Sequence, residues 1–154
     1  MQIPNWLKTT ASFLLLGFIF VAWGIHTYST PRVSGSYAHP LTIGDASLQV
    51  AFAVTGEEQE RGLSGTENLA PGTGMLFVFP AETTPSFWMK DMRYPIDMIW
   101  IDASRQVVDS TENALPESYP DTTFSPRVPV RYVLEVPAGF FAEQGIMIGD
   151  TVSF

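Results

Sequence analysis

Ser86–Asp102 reads SFWMKDMRYPIDMIWID, the densest aromatic and methionine run outside the N-terminal apolar segment. Two strand-like pieces, Ser86–Lys90 and Met98–Ile101, flank a connector carrying Arg93, Tyr94 and Pro95. Side chains on a strand alternate faces, so Ser86, Trp88 and Lys90 are expected on one face and Phe87 and Met89 on the other. Lys90, Asp91, Arg93 and Asp97 are charges set among apolar neighbours. A connector that reverses the chain would return Asp97 to Lys90 as a cross-strand partner. Beside the flat face of Trp88, Lys90 and Asp97 then form either a clamp for a polar ring or sugar, or an ion pair that fixes the connector.

The flanking sequence is punctuated in the same way. Met75–Phe79 (MLFVF) is a continuous apolar run between Gly74 and Pro80, which suits a central strand buried on both faces. Leu41–Val54 reads as a hairpin turning at Gly44-Asp45, with Leu48, Val50, Phe52 and Val54 at the spacing of a half-buried strand. Thr55 and Glu58 fit a capping box that opens a short helix, Glu57 and Arg61 fit a helix-face pair, and Gly62 is a natural stop. Ser64–Gly74 is a loop. Gln106–Asp109 is a short strand, Ser110–Pro129 is irregular, Arg131–Val136 alternates, Pro137–Gly145 permits a second short helix, and TVSF is a last strand. The pattern predicts a mainly β domain, an antiparallel sandwich or open barrel with two short helices, preceded by one N-terminal transmembrane or signal helix.

That N-terminal element is Thr9–Ile25, bracketed by Trp6 and Tyr28, and the stretch from Trp6 to Tyr28 is long enough to span roughly 30 Å of hydrocarbon. The expected organisation is an anchor or signal segment at 1–27, a Ser/Thr/Pro/Gly linker at 28–40 and a β-rich domain at 41–154. An uncleaved helix makes a single-pass protein of the cell membrane with an extracytoplasmic (periplasmic) domain. A cleaved one makes a secreted protein.

Composition narrows the chemistry. The chain has 154 residues, no cysteine and two histidines, His26 and His39, which precede the expected β-rich domain. Thiol nucleophiles, histidine triads and thiolate or histidine metal sites are therefore excluded in that domain. From His39 onward, Lys and Arg number six against sixteen Asp and Glu, a balance of −10 that disfavours nucleic acid as a partner. A Ser86–Lys90 dyad would span roughly 13 Å along a strand, too far for a hydrogen bond. Asp97, Asp102, Glu135 and Asp150 offer carboxylate pairs for general acid and base work, but no calcium loop pattern surrounds them.

Glu57–Leu69 (EEQERGLSGTENL), Gly74–Phe79 (GMLFVF), Phe87–Lys90 (FWMK), Pro95–Asp97 (PID), Leu134-Glu135 and Gly145–Asp150 (GIMIGD) follow one another in a familiar order. From Leu41 to Phe154 the chain resembles the bacterial and archaeal "domain of unknown function 192" family. The resemblance implies a compact β-rich fold with short helices, often behind a signal or anchor segment, and implies no activity. Ser64 and Thr66 stand where that family usually has a methionine and a basic residue. If the basic residue holds an anionic ligand, Arg61 is the nearest substitute here.

The function expected from these features is a membrane-anchored extracytoplasmic β-domain that binds a small polar ligand, glycan or partner protein without chemistry and without a cofactor or metal. The expected ligand-binding residues are Trp88, Lys90, Asp97, Arg61 and Glu135. The alternative is a carboxylate-dependent hydrolase acting on envelope polysaccharide.

Overall fold

The structure, a computed structural model, describes residues 36–154. The expected membrane or signal segment and most of the expected linker lie outside the described residues. Among the described residues, no helix is long and apolar enough to cross a membrane.

Seven strands make one sheet: β1 (His39–Ile43), β2 (Ala46–Ala53), β3 (Thr73–Thr83), β4 (Ile96–Ile101), β5 (Val107–Ala114), β6 (Val130–Pro137) and β7 (Val152–Ser153). Two short helices accompany them, α1 (Gly56–Arg61) and α2 (Phe140–Glu143). The strand order is β5-β4-β6-β3-β2-β1-β7. Neighbours are antiparallel except β2 and β3, which run parallel and so need a crossover; α1 and the loop after it supply one.

The sheet curls into a half-barrel rather than splitting into a sandwich. A Gln106–Thr151 bridge, together with Val107 N–H donating to Asp150 O at 2.9 Å and Val152 N–H to Arg105 O at 2.8 Å, draws the two sheet edges together. Val107 and Val152, from opposite edges, therefore join Leu41, Leu48, Leu76 and Leu134 in one core on the concave side. Ala51, Met75, Phe77, Met98, Trp100 and Val133 point to the other face, where Leu63, Leu69, Phe87 and Met89 from the loops cover them.

This double coverage revises the expected half-buried strands. β2 from Val50 onward and most of β6 are covered on both faces because the loops of the convex side bury the second face, whereas Ser47 and Gln49 keep the expected exposed alternation. Val54, expected to continue the β2 stripe, is 56% exposed at the entry to α1. The domain also starts earlier than position 41: His39 and Pro40, assigned to the linker, pair with Val50 and Gln49, and His39 stacks on Phe52 at 4.5 Å. The irregular stretch begins later than Ser110, since β5 runs to Ala114.

The α1 capping box is formed. Thr55 Oγ1 accepts from Glu58 N–H at 3.2 Å, and Glu58 Oε2 accepts from Thr55 N–H at 2.9 Å. Gln59 Nε2 donates to Val78 O at 2.9 Å, which fastens α1 to β3. The expected Glu57–Arg61 pair does not close. Ion pairs among the described residues are Arg93–Glu67 and Arg127–Asp109.

Candidate functional site

Ser86–Lys90 is not a strand. Only Phe87 pairs, exchanging two 2.8 Å backbone hydrogen bonds with Phe124. The alternation expected there survives because the covering segment still has an inside: Phe87 and Met89 are buried, whereas Trp88 is 43% exposed. The segment is also tied to the loop after α1. Ser64 Oγ donates to Lys90 O at 2.7 Å, and Gly65 N–H donates to Asp91 O at 2.9 Å. Asp91 takes φ 56°, a left-handed conformation that aspartate tolerates better than most residues.

Between this segment, α1 and the sheet lies a cavity of about 240 Å³. Phe77, Phe79 and Phe87 provide aromatic surface, Trp88 and Arg61 stand at its exposed side, and Glu135 of β6 lies at its base. Phe77 and Phe87 meet edge to face at 4.9 Å, and Phe87 meets Trp100 at 5.5 Å, so the walls are held by the core itself.

Glu135 is 5% exposed, and its Oε2 has no hydrogen-bond partner among the described residues. Burial pushes its carboxyl up to about 8, because a lone carboxylate in this setting loses its hydration without gaining a counter-charge. The group is therefore mostly protonated at neutral pH and has both a donor and an acceptor to offer. Tyr94 and Tyr37 lie close enough to feel its charge. Burial raises both phenols, Tyr37 to about 12.

Gly62 opens the way to this carboxyl. Its φ of +49° ends α1, and a Cβ there would stand 3.1 Å from Phe77 Cζ and 3.9 Å from Glu135 Oε2. Any side chain would be strained and would crowd the space beside Glu135.

The expected Lys90–Asp97 partnership is not formed. Asp97 has the parity of Ile99 and Ile101 on β4 and faces the concave side, fully buried. Its Oδ1 accepts from Asn113 N–H at 2.8 Å and its Oδ2 from Phe141 N–H at 3.0 Å, so it fastens α2 and the end of β5 to β4. Lys90 is exposed on the convex side, beside Trp88, Arg61 and Glu60 in a shallow depression next to the cavity. Of the five expected ligand-binding residues, Trp88, Arg61 and Glu135 line one cavity, Lys90 borders it, and Asp97 belongs to the opposite face.

The four carboxylates expected to supply a catalytic pair are dispersed. Asp102 Oδ1 accepts from Gln106 N–H at 2.9 Å and Asp150 Oδ2 from Met147 N–H at 2.8 Å, both within turns. Among the described residues, no three His, Asp or Glu side chains are grouped to hold a metal ion. Thr66, where a basic residue is usual in the resembled family, is buried and bonds through its hydroxyl to Leu63 O and Tyr94. Sequence reasoning read Gly62 only as a helix stop, Phe77 and Phe79 only as part of a buried strand, and Phe87 only by its strand face. It assigned Tyr37 to a linker, although Tyr37 packs on the convex core.

The fold and the cavity define a small β half-barrel domain with one buried carboxyl beneath aromatic walls. The DUF192 family model, described as "Uncharacterized ACR", matches residues 39–154. The chain belongs to this DUF192 (UPF0127) family. It is 32% identical over 108 residues to UPF0127 proteins of Thermococcus sibiricus and Thermococcus kodakarensis, covering 69% of this chain. It spans 66% and 64% of the length of those two relatives. Two crystal structures share the fold at a TM-score of 0.70. One, from Sinorhizobium meliloti and named as a candidate transcription regulator, is 33% identical and covers 74% of this chain and 91% of that one. The other, a protein of unknown function from Novosphingobium aromaticivorans, is 30% identical and covers 75% of this chain and 84% of that one.

Proposed function

We propose that this chain is a membrane-anchored, extracytoplasmic binding domain that holds a small polar ligand in the Glu135 cavity without chemistry. The observation that carries the reading is the unpartnered Oε2 of a buried carboxyl beside a cavity of about 240 Å³. A buried polar atom without a partner is costly, and a ligand that bonds to it recovers that cost. An apolar cavity of about 150 Å³ already accepts benzene, so this one has room for a six-membered ring with a polar substituent. Trp88 and Phe79 supply faces for the ring, and Arg61 and Lys90 stand where a ligand would enter. The Thr9–Ile25 apolar run supports attachment to a membrane. The −10 balance argues against a nucleic-acid role for this chain.

Two experiments test the two halves of this reading. Ligand-observed NMR on the full chain in detergent, against ring-containing polar fragments, should yield binders that weaken in Trp88→Ala and Glu135→Gln. A complete absence of binders, or binders indifferent to both changes, rejects the site. Fractionation should find the full chain with membranes and a chain beginning at Ser36 in the soluble fraction. The reverse distribution rejects the anchor.

A further inference from the structure

We infer that the ligand seated on Glu135 is an organic cation, an amine carried on an aromatic or aliphatic ring, which this carboxyl receives as a buried ion pair. The inference rests on the binding reading above and specifies its ligand class.

Three features of the cavity favour a cation over a neutral or anionic molecule. Glu135 Oε2 is an unoccupied acceptor, and an ammonium brings N–H donors and the missing counter-charge together. The lining includes two carboxyl groups, Glu60 and Glu135, against one guanidinium, Arg61; Glu60 and Arg61 both stand on the exposed side, and Glu135 is the one ionisable lining group within. The walls are aromatic, and ring faces attract cations. Around all of this, the −10 balance from His39 onward raises the local concentration of cations. An anion would have to lose its hydration beside Glu135, with its only lining cation at the exposed side of the cavity.

The step that follows is a proton balance and breaks no covalent bond to carbon. Protonated Glu135 and the incoming ammonium give a carboxylate–ammonium pair, and the carboxyl proton leaves to the buffer. The other titratable groups facing Glu135 are Glu60 and Arg61 across the cavity and Tyr37 and Tyr94 behind it. Burial raises both phenols, so neither supplies the released proton at neutral pH. A neutral ligand releases no proton, because it leaves Glu135 uncharged.

Benzylamine and benzyl alcohol test this directly, since they share ring and length and differ in charge. Titration calorimetry on the full chain at about pH 6, in two buffers of different ionisation enthalpy, reads affinity and proton release together. Benzylamine should bind about tenfold or more tightly than benzyl alcohol and release close to one proton. In Glu135→Gln, the preference and the release should both disappear while benzyl alcohol still binds. Equal affinities with no proton release overturn the cation assignment and leave the cavity as a site for neutral ligands. No binding of either probe overturns the binding reading itself. Proton release that persists in Glu135→Gln assigns it to another group and also overturns the inference. The wild-type comparison between buffers stands even if Glu135→Gln does not fold.

Discussion

Raising the pH should weaken the fold through one residue. Glu135 ordinarily ionises near 4.5, and burial moves it to about 8 in the folded chain. Below about 4.5 both folded and unfolded chains hold this proton. Between the two values the unfolded chain has lost it and the folded chain keeps it, so the folded state binds more protons and stability falls as pH rises. Once pH passes about 8 the folded carboxyl ionises as well, and this contribution is gone. At about 1.4 kcal/mol per pH decade, the interval sets a ceiling of ~5 kcal/mol. Water entering the cavity beside the new carboxylate reduces it, so a loss of ~2–5 kcal/mol is expected, a large part of a small domain's total stability. Urea unfolding of the full chain at a series of pH values from about 5 to 9 measures the loss. Glu135→Gln keeps the shape of the neutral side chain and should flatten the curve while matching the wild type at the acid end. A wild-type curve already flat across this interval would refute the argument. So would an equal decline in Glu135→Gln.

Other residues carry expectations of different sign. Asp97→Ala should cost roughly 3 kcal/mol or more, because the Asn113 and Phe141 amides lose their acceptor, whereas Lys90→Met should leave the melting temperature unchanged. Thermal melts of the two variants check both, and a destabilised Lys90→Met would show that Lys90 has a structural partner. Thr55→Ala should cost about 1 kcal/mol by urea unfolding, since the α1 capping box loses its hydroxyl acceptor. Asp109 is held below the usual carboxylate range, first by its side-chain bonds from Arg127. Its contribution is present above the unfolded value of about 3.9 and is lost as pH falls through the depressed folded one. Arg127→Met should therefore flatten part of the acid limb of the stability curve, and an unchanged acid limb would contradict it.

Local features of this fold were legible wherever the physics was local. The capping box at Thr55 and Glu58 and the turn at Gly44-Asp45 depend on neighbours a few residues away and formed as read, whereas the Met75–Phe79 run is a strand buried on both faces only as far as Phe77, with Val78 and Phe79 half-buried. The convex core was not legible, because the half-buried alternation of β2 and β6 says nothing about loops that later cover their second face. The same blindness misplaced Asp97. Its distance along the chain from Lys90 suggested a hairpin partner, but Pro95 leads into a strand whose parity sends Asp97 through the sheet. Glu135 carried a better signal: a carboxylate set among Val133, Leu134 and Val136 must be paired, protonated or offered to a ligand. The sequence could not choose between these, since Asp97, equally enclosed by apolar residues, turned out to be fully bonded.

Those two carboxyls show how one sheet divides its labour. β4 and β6 are adjacent, with Asp97 opposite Val136 and Met98 opposite Glu135, so the acids sit one register step apart. Parity alone sends Asp97 to the concave side and Glu135 to the convex side. On the concave side, backbone amides from the start of α2 and from Asn113 converge on Asp97 and bond both of its oxygens. On the convex side, the crossover that joins parallel β2 and β3 ends α1 with Gly62 close beside Glu135, and no group among the described residues bonds Oε2. The parallel pair thus does more than complete the sheet. It requires a crossover, this one brings Gly62 beside Phe77 and Glu135, and a glycine there keeps space where a side chain would otherwise close it. An acid on the concave face is consumed by the fold. An acid one step away on the convex face keeps an oxygen that no group among the described residues bonds.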